Sequence, residues 1–232
     1  NALELDWNDV VPNDELSYII GNPPFVGARL MSKEQSCQVE QVFDNIRGAG
    51  NLDYVAAWYA KAAQYIQNTR IKVAFVSTNS IVQGEQVGIL WNVLLNQYGV
   101  KMHFAHRTFK WSNEAKGNAG VYCVIIGFAH YDIDTKTIFE YEDISGEPHI
   151  LQAKNINPYL VDSYDIMLSK RSTPICTAPK INYGSFALDD GHYTLSEADR
   201  DEIINECSSS EKLIRPFIGG QELLHSIKRY CL

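Results

Sequence analysis

The sequence predicts an α/β fold: a parallel sheet with helices between its strands and a β-hairpin at its edge, followed by part of an irregular α+β region. Two observations predict this organisation. Over roughly the first hundred residues, short apolar runs bounded by turn residues alternate with amphipathic helical periods. Beyond Pro148 both periods fade, and Asn, Ser, Thr, Pro and Gly become frequent. Because strands that alternate with helices are joined by right-handed crossovers, the first part predicts a parallel sheet.

Each element follows from its local pattern. Strands are predicted where an apolar run ends at turn residues, and helices where apolar residues recur at helical spacing without an interrupting Gly or Pro. In chain order, the predicted elements are a strand over 16–20, a helix over 51–67 capped by Asn51 or Asp53, a strand over 72–77, a helix over 85–98, a strand over 100–105, a hairpin formed by 121–130 and 137–141, and a helix over 197–206 capped by Ser196. A domain boundary predicted within residues 146–159 divides the chain into residues 1–147 and 148–232.

The composition is that of an ordinary globular protein. With 232 residues and 45% hydrophobic composition, the chain is long enough for one large core, or for one domain and part of a second. Its apolar runs are far too short to span a bilayer and no signal-peptide pattern opens it, so we expect a cytoplasmic protein with no membrane partner. The five cysteines are scattered without ligand spacing, so we expect reduced thiols and no structural metal.

The charge of the chain has two opposing implications. A formal net charge of −8 argues against nucleic-acid binding, because Lys and Arg supply most of the affinity for phosphates. The stretch 101–116 is locally basic, however, and an acidic protein can contain a basic cleft. Arg107, Lys110 and Lys116 are therefore candidate DNA-binding residues, and a solvated basic loop is the alternative interpretation with about equal weight.

The segment Asn22-Pro-Pro-Phe25 contains the residue types that one reaction needs. It follows a predicted strand and Gly21, where open α/β sheets bind their ligands. The exocyclic amine of a nucleobase is a weak nucleophile that needs acceptors for its hydrogens, and the Asn22 side chain and the Pro23 carbonyl are such acceptors. Pro23 and Pro24 make the loop rigid, and Phe25 offers a flat face for an extruded base. The alternative is a strand-terminating turn with a partly buried aromatic residue.

Asn22-Pro-Pro-Phe25 resembles the fourth motif of amino-group DNA methyltransferases, and further segments resemble other motifs of this family in the expected order. These are Asn1-Ala-Leu3 through Trp7 for the third motif, Asp53-Tyr54 for the fifth, residues 73–79 for the sixth, and residues 109–113 with 121–126 for the eighth. The order is similar to that of the γ-class of N6-adenine enzymes. The amino-acid sequences of residues 109–115, 215–219 and 228–232 resemble those of type IIG restriction-modification enzymes.

The resemblance implies a partial Rossmann-like sheet, S-adenosylmethionine as cofactor, double-stranded DNA as substrate and a target recognition region at residues 148–232. It also implies roles for single residues. Asn22 and Pro23 would hold the adenine amine on the loop that Pro24 stiffens, and Phe25 would stack on the base. Phe109 or Trp111 would contact its other face or edge, with Phe109 preferred from its place ahead of the predicted hairpin. Asn1 would reach the adenine of the cofactor.

The main cofactor-binding motifs of this family are expected upstream of Asn1. We therefore expect the chain to be a fragment that binds the cofactor weakly and is inactive alone. Two alternatives remain at this point. One is a protein-glutamine methyltransferase, which shares Asn-Pro-Pro but ordinarily carries Tyr where this chain has Phe25. The other is a DNA-binding specificity module without catalysis. The recognition sequence, DNA cleavage by the parent protein and the oligomeric state do not follow from the sequence.

Overall fold

The computed structural model describes residues 1–44, 46–111, 121–168, 171, 173–179 and 191–232. The chain separates into two compact units, Asn1–Arg171 and Ser172–Leu232. The larger unit includes a strand at His149–Ala153 and a turn in which Leu160 is buried, so it continues beyond residue 147. The functional division predicted at residues 147 and 148 stays a prediction, because a compact unit need not coincide with a functional region.

The larger unit contains a six-stranded sheet. Its strands are β1 (Tyr18–Gly21), β2 (Lys72–Thr78), β3 (Lys101–Trp111), β4 (Val121–Ala129), β5 (Lys136–Glu140) and β6 (His149–Ala153), in the spatial order β1-β2-β4-β3-β5-β6. The pairs β1–β2 and β3–β5 are parallel, whereas β4 is antiparallel to both β2 and β3, and β6 is antiparallel to β5. The predicted α/β class is confirmed, but the sheet is mixed.

The prediction that residues 121–130 pair with residues 137–141 is wrong. β4 lies between β2 and β3, and the hairpin at the sheet edge is formed by β5 and β6. The reason lies in the burial of β4: Val124, Ile126 and Phe128 are buried on one face and Cys123 on the other. An apolar run covered on both faces suits a central strand, whereas the edge strand β6 has four exposed residues among its five.

The described residues of the larger unit form three α-helices: α1 (Lys33–Val42), α2 (Ala56–Tyr65) and α3 (Gly84–Trp91). A π-helical segment, Asn92–Gln97, continues α3, so the helix predicted at 85–98 is confirmed with a change of pitch. α1 was not predicted, although the Ser32–Gln35 capping box marks its start. Short 3-10 turns lie at Trp7–Asp9, Asn13–Glu15, Ala28–Leu30, Ala49–Asn51 and Asn79–Val82.

The predicted capping of α2 by Asn51 or Asp53 is wrong. The helix begins at Ala56, its N-cap residue is Val55, and no side chain caps it. Asn51 ends a 3-10 turn, and the carboxylate of Asp53 binds groups outside the helix. The Asp53 side chain therefore binds residues that are distant in sequence and does not cap the helix that follows it.

The helix α2 packs its small and aromatic side chains against the sheet. Tyr59, at its centre, is fully buried, stacks on Phe128 at 5.6 Å and meets Phe75 edge-on at 5.2 Å between ring centroids. Its hydroxyl shares a 2.6 Å hydrogen bond with the hydroxyl of Ser77 on β2. Burial raises the pKa of Tyr59 well above its usual value. This core fixes the carboxyl-terminal half of β2, which borders the loop that follows β1.

The smaller unit contains a three-stranded antiparallel sheet and two helices. Its elements are β7 (Thr194–Leu195), α4 (Glu197–Glu206), β8 (Arg215–Phe217), α5 (Gly220–His225) and β9 (Arg229–Cys231), with strand order β7-β9-β8. The prediction of α4 with Ser196 as its N-cap is confirmed, and Ser196 accepts a 3.2 Å bond from the amide of Asp199. None of the described helices is long and apolar enough to cross a membrane.

The contact between Gly127 of β4 and Phe104 of β3 yields a test of the sheet. A Cβ atom at Gly127 would overlap the Phe104 ring. Gly127→Ala is therefore expected to lower the free energy of unfolding by about 1–3 kcal/mol, as overpacking generally does. Chemical denaturation measures this change. Gly50→Ala, whose Cβ would lie at an ordinary 3.8 Å from Glu40, is the matched control, and equal stability of the two variants would contradict the packing.

Candidate functional site

The loop of residues 22–25 leaves the sheet at the carboxyl end of β1. The last residue of β1, Gly21, pairs with Phe75 of the parallel strand β2. A Cβ atom at Gly21 would lie 3.2 Å from Cε1 of Phe75, closer than an ordinary van der Waals contact. Glycine therefore allows the buried Phe75 ring to lie against the end of β1. The loop starts at the edge where open α/β sheets bind ligands.

The four residues of this loop differ in burial. Pro23 is buried and Phe25 half-buried, whereas Asn22 and Pro24 are exposed. Among the described residues, none forms a hydrogen bond with the Asn22 side chain or with the Pro23 carbonyl. The buried proline anchors the loop, and both predicted acceptors are left without a partner from the described part of the chain. This arrangement suits a loop that receives its hydrogen-bond donors from a ligand.

A single buried carboxylate holds the end of the loop. Asp53 is only 8% exposed, and its Oδ1 accepts a 3.0 Å hydrogen bond from the amide of Ala28. Its Oδ2 accepts a short hydrogen bond from the hydroxyl of Ser80, in the turn after β2. The amide of Asp53 in turn donates to Oε1 of Gln86 on α3 at 2.9 Å. Asp53 thus connects the loop after β1 with the turn after β2 and with α3.

The residue after Asp53 adds a second connection. The amide of Tyr54 donates a 2.9 Å hydrogen bond to the carbonyl of Val26, immediately after the loop. The Tyr54 hydroxyl donates a 2.5 Å bond to the buried side chain of Gln38 on α1. Asp53 and Tyr54, which lie just before α2, therefore both bind the segment that follows the loop, and Tyr54 also binds α1. From the sequence, this pair resembles the fifth motif, and Asp53 was also a candidate helix cap.

Phe109 lies at the same edge of the sheet as the loop. It pairs with Cys123 of β4, and Cys123 also pairs with Thr78, the last residue of β2. Phe109 and Thr78 therefore lie at the same height along the sheet, about 10 Å apart on either side of β4. Phe109 is half-buried, and among the described residues it makes no ring contact with Phe25. The structure brings both predicted stacking residues to one edge without placing them in contact.

The remaining candidate residues on β3 have different environments. Trp111 ends the strand with 37% of its surface exposed, and its ring lies 6.1 Å from that of Phe109. Arg107 forms an ion pair with Glu140 of β5, so its positive charge is largely offset. Lys110 has an exposed side chain, and its amide donates a 2.7 Å bond to the carbonyl of Ile144. Lys116 lies outside the described residues.

The start of the chain packs on the same unit. Oδ1 of Asn1 accepts a 3.2 Å hydrogen bond from the amide of Leu3, whose side chain is buried. Nζ of Lys61 on α2 donates to the Leu3 carbonyl at 3.1 Å, and Gln38 on α1 donates to the Glu4 carboxylate at 2.6 Å. The third-motif segment is therefore attached to α1 and α2. In the described part of the chain, no group of His, Cys, Asp or Glu residues could hold a metal ion.

Comparisons with known proteins show the family to which the chain belongs. The family described as "MmeI, DNA-methyltransferase domain" matches residues 1–140, and "MmeI, target recognition domain" matches residues 162–232. DNA methyltransferase A of Bacillus subtilis (strain 168) is 38% identical over 234 residues, which cover 100% of this chain and 26% of that protein. The solved structure of the Type IIL restriction-modification enzyme MmeI in complex with DNA is 51% identical, with a TM-score of 0.93. That match covers 100% of this chain and 31% of the solved chain.

The bonds of Asp53 predict how the loop responds to a substitution. Asp53→Ala leaves the amide of Ala28 without its acceptor, and a lost buried partner costs about 1–3 kcal/mol. We expect faster hydrogen–deuterium exchange at the amides of residues 25–30 and a smaller effect in β4. Asp134→Ala, at an exposed turn residue, is the control. Unchanged exchange at Ala28 in the Asp53 variant would show that the carboxylate does not hold the loop.

Proposed function

Because the chain belongs to the MmeI family of DNA methyltransferases, we propose that it carries the catalytic loop of an enzyme that methylates the exocyclic amine of adenine in double-stranded DNA. The observation that carries this proposal is the loop of residues 22–25 at the carboxyl end of β1, with the Asn22 side chain unengaged by the described residues. The family match does not favour the protein-glutamine or the non-catalytic alternative. We propose that the parent enzyme is part of a restriction-modification system, because the relative of known structure is a restriction-modification enzyme.

The loop acts on the amine through its acceptors. An adenine amine has its lone pair delocalised into the ring, so it becomes nucleophilic as its two hydrogens are held by acceptors. In the proposed site, Oδ1 of Asn22 and the carbonyl of Pro23 accept those hydrogens. Pro24 restricts the loop, so the two acceptors keep a fixed separation without loss of entropy on binding. The nitrogen–carbon bond forms as the bond between the methyl group and its donor breaks, and the methylated amine then loses one proton to solvent.

The target base has to leave the double helix before it reaches this loop, because the amine is inaccessible to an in-line attack while the base is stacked. Phe25 is half-buried beside the two acceptors and offers one face for stacking. We assign the second contact to Phe109, whose ring is held by neighbouring rings, in preference to the more exposed Trp111. A held ring loses less conformational freedom when a base binds.

We propose S-adenosylmethionine as the methyl donor, which, when bound, supplies a methyl group on a positively charged sulfur. The residues of this chain suit one margin of such a site. Asn1 has an exposed amide, and its turn is attached through Leu3 to α2. Its amide NH₂ group would donate to an acceptor on the adenine of the cofactor. The Asp53 bonds keep the neighbouring loop in place while cofactor and base bind.

DNA is the proposed partner of both regions. Lys110 has an exposed side chain at the same edge as the loop, and we assign it, with Lys116 and Arg107, to phosphate contacts. Arg107 must exchange its Glu140 partner for a phosphate to take part. Residues 148–232 are assigned to target recognition, since most of them match a target recognition domain. The chain spans about a quarter to a third of its relatives, so these roles concern the full-length protein.

Asn22→Ala tests the proposed chemistry in the full-length enzyme. Removing one preorganised hydrogen-bonding group at a reacting centre lowers the rate by about 10²–10³-fold. We expect that loss in kcat for transfer of labelled methyl groups from S-adenosylmethionine to DNA, with the Kd for DNA almost unchanged. Asn96→Ala, an exposed residue of the π-helical segment, is the control.

Three results of this assay would contradict the proposal. Turnover of Asn22→Ala equal to that of the wild type would remove Asn22 from the site. Methyl transfer by the wild type to a protein substrate but not to DNA would favour the glutamine alternative. Sequence-specific DNA binding by the wild type without any transfer would favour a specificity module.

A comparison of Phe109→Ala with Trp111→Ala tests the stacking assignment. Base–aromatic stacking contributes about 1–3 kcal/mol, so Phe109→Ala should lower kcat by about 10- to 100-fold. It should also weaken the fluorescence increase of 2-aminopurine placed at the target position, because fewer bases stay extruded. Trp111→Ala should have the smaller effect in both measurements. The reverse order would transfer the stacking role to Trp111.

A further inference from the structure

Four side chains of β3, β5 and the residue after β5 form an aromatic cluster: His106, Phe109, Phe139 and Tyr141. The imidazole of His106 stacks on Phe139 with a centroid distance of 4.1 Å and an angle of 4° between the planes. Nδ1 of His106 and the hydroxyl of Tyr141 share a 2.8 Å hydrogen bond. The Tyr141 ring lies 5.4 Å from Phe109, tilted by 30°. The Phe109 ring therefore lies beside the Tyr141 ring, and the Tyr141 hydroxyl is hydrogen-bonded to His106.

A β-bulge makes this cluster possible. His106 pairs with Ile125 and Phe109 with Cys123, so three steps along β3 match two steps along β4. Residues three apart in a regular strand point to opposite faces. The extra residue of the bulge brings His106 and Phe109 to the same face, where their rings lie 6.3 Å apart.

The polar atoms of the cluster have few other partners. His106 is half-buried, and burial lowers the pKa of its imidazole, so the ring is neutral at neutral pH. Burial, with a smaller contribution from Glu147, raises the pKa of Tyr141, which keeps its phenolic proton. Among the described residues, His106 Nδ1 is the partner of the Tyr141 hydroxyl. Replacing Tyr141 with Phe would thus remove this hydrogen bond while both aromatic rings are retained.

The backbone supports the same end of β3. The amide of Lys110, next to Phe109, donates a 2.7 Å bond to the carbonyl of Ile144, three residues after Tyr141. The segment after β5 is therefore joined to β3 on both sides of Phe109, by a backbone bond and by a side-chain bond. Such a double attachment restrains the end of the strand that bears Phe109.

We propose that His106 and Tyr141 are positioning residues that orient the Phe109 ring toward the target base. This inference rests on the proposed function and adds two residues to its site. Neither residue has to touch the substrate or the cofactor. Their hydrogen bond keeps the Tyr141 ring against Phe109, so that the base meets a preorganised surface. Misplacement of a contact by about 1 Å can cost up to about 100-fold in rate, which gives such residues a measurable effect.

The test uses Tyr141→Phe in the full-length enzyme, which removes the hydroxyl and keeps the ring. We expect kcat for DNA methylation to fall about tenfold, within the range that small misplacements produce. The KM for DNA and the unfolding temperature should stay close to wild type. The fluorescence of 2-aminopurine at the target position should fall, because the extruded base is held less firmly. Tyr131→Phe is the matched control: its ring also meets a histidine of β3, His103, and its hydroxyl has no bond among the described residues.

A double-mutant cycle with His106→Gln shows whether the two residues act as a unit. If they do, the combined variant loses no more activity than the single variants, because the same hydrogen bond is removed once. Additive losses, or wild-type kcat and fluorescence for Tyr141→Phe, would overturn the inference while DNA methylation by the wild type stands. Absence of methyl transfer to DNA by the wild type would overturn the proposed function, and this inference with it.

Discussion

The buried carboxylate of Asp53 is the interaction on which the proposed site depends. A carboxylate that is only 8% exposed is costly to bury unless hydrogen-bond donors surround it, and Ala28 and Ser80 are its donors. Those donors belong to the segments that follow two neighbouring parallel strands. Because the two oxygens of Asp53 bind the two segments separately, a displacement of Asp53 would break one bond to each of them. The acceptors of Asn22 and Pro23 are thus fixed by a residue that follows them in sequence by about thirty positions.

Several elements were predictable because each depends on a local pattern. The strand before Asn22, the strand over residues 72–77 and the helix that Ser196 caps all lie where hydrophobic period and capping chemistry indicated. The order of the strands was not predictable in the same way. The apolar run of β4 indicates burial on both faces, but periodicity does not reveal which strands flank it. Asp53 shows the same limit for a single residue. The sequence around it does not distinguish an aspartate that caps a helix from one that binds distant segments of the chain.

The position of Phe109 reflects a similar limit. Its residue type was evident from the sequence, but the predicted strand ended at residue 105, whereas β3 continues to Trp111. The face that Phe109 occupies follows from the bulge after His106. A bulge cannot be recognised reliably from the hydrophobic pattern. Its extra residue shifts the alternation of apolar and polar residues by one position, and such a shift looks like any other break in the alternation. Tyr141 could not be connected with Phe109 without the parallel pairing of β3 with β5, which places residues more than thirty positions apart side by side.

The acidic net charge and the proposed DNA partner can be reconciled through the pairing of the basic residues. Lys136 is buried and bound to Asp132 at 2.7 Å, and Arg107 is paired with Glu140, so both cations already have a carboxylate partner within the protein. Lys110 has an exposed charge at the edge that bears the loop. DNA affinity grows with the number of phosphates that are neutralised, so one exposed cation among these three gives little affinity by itself. In the proposed function, DNA therefore has to be brought to this edge by contacts made elsewhere in the full-length protein, and the bonds of Asp53 hold the loop in place for the target base.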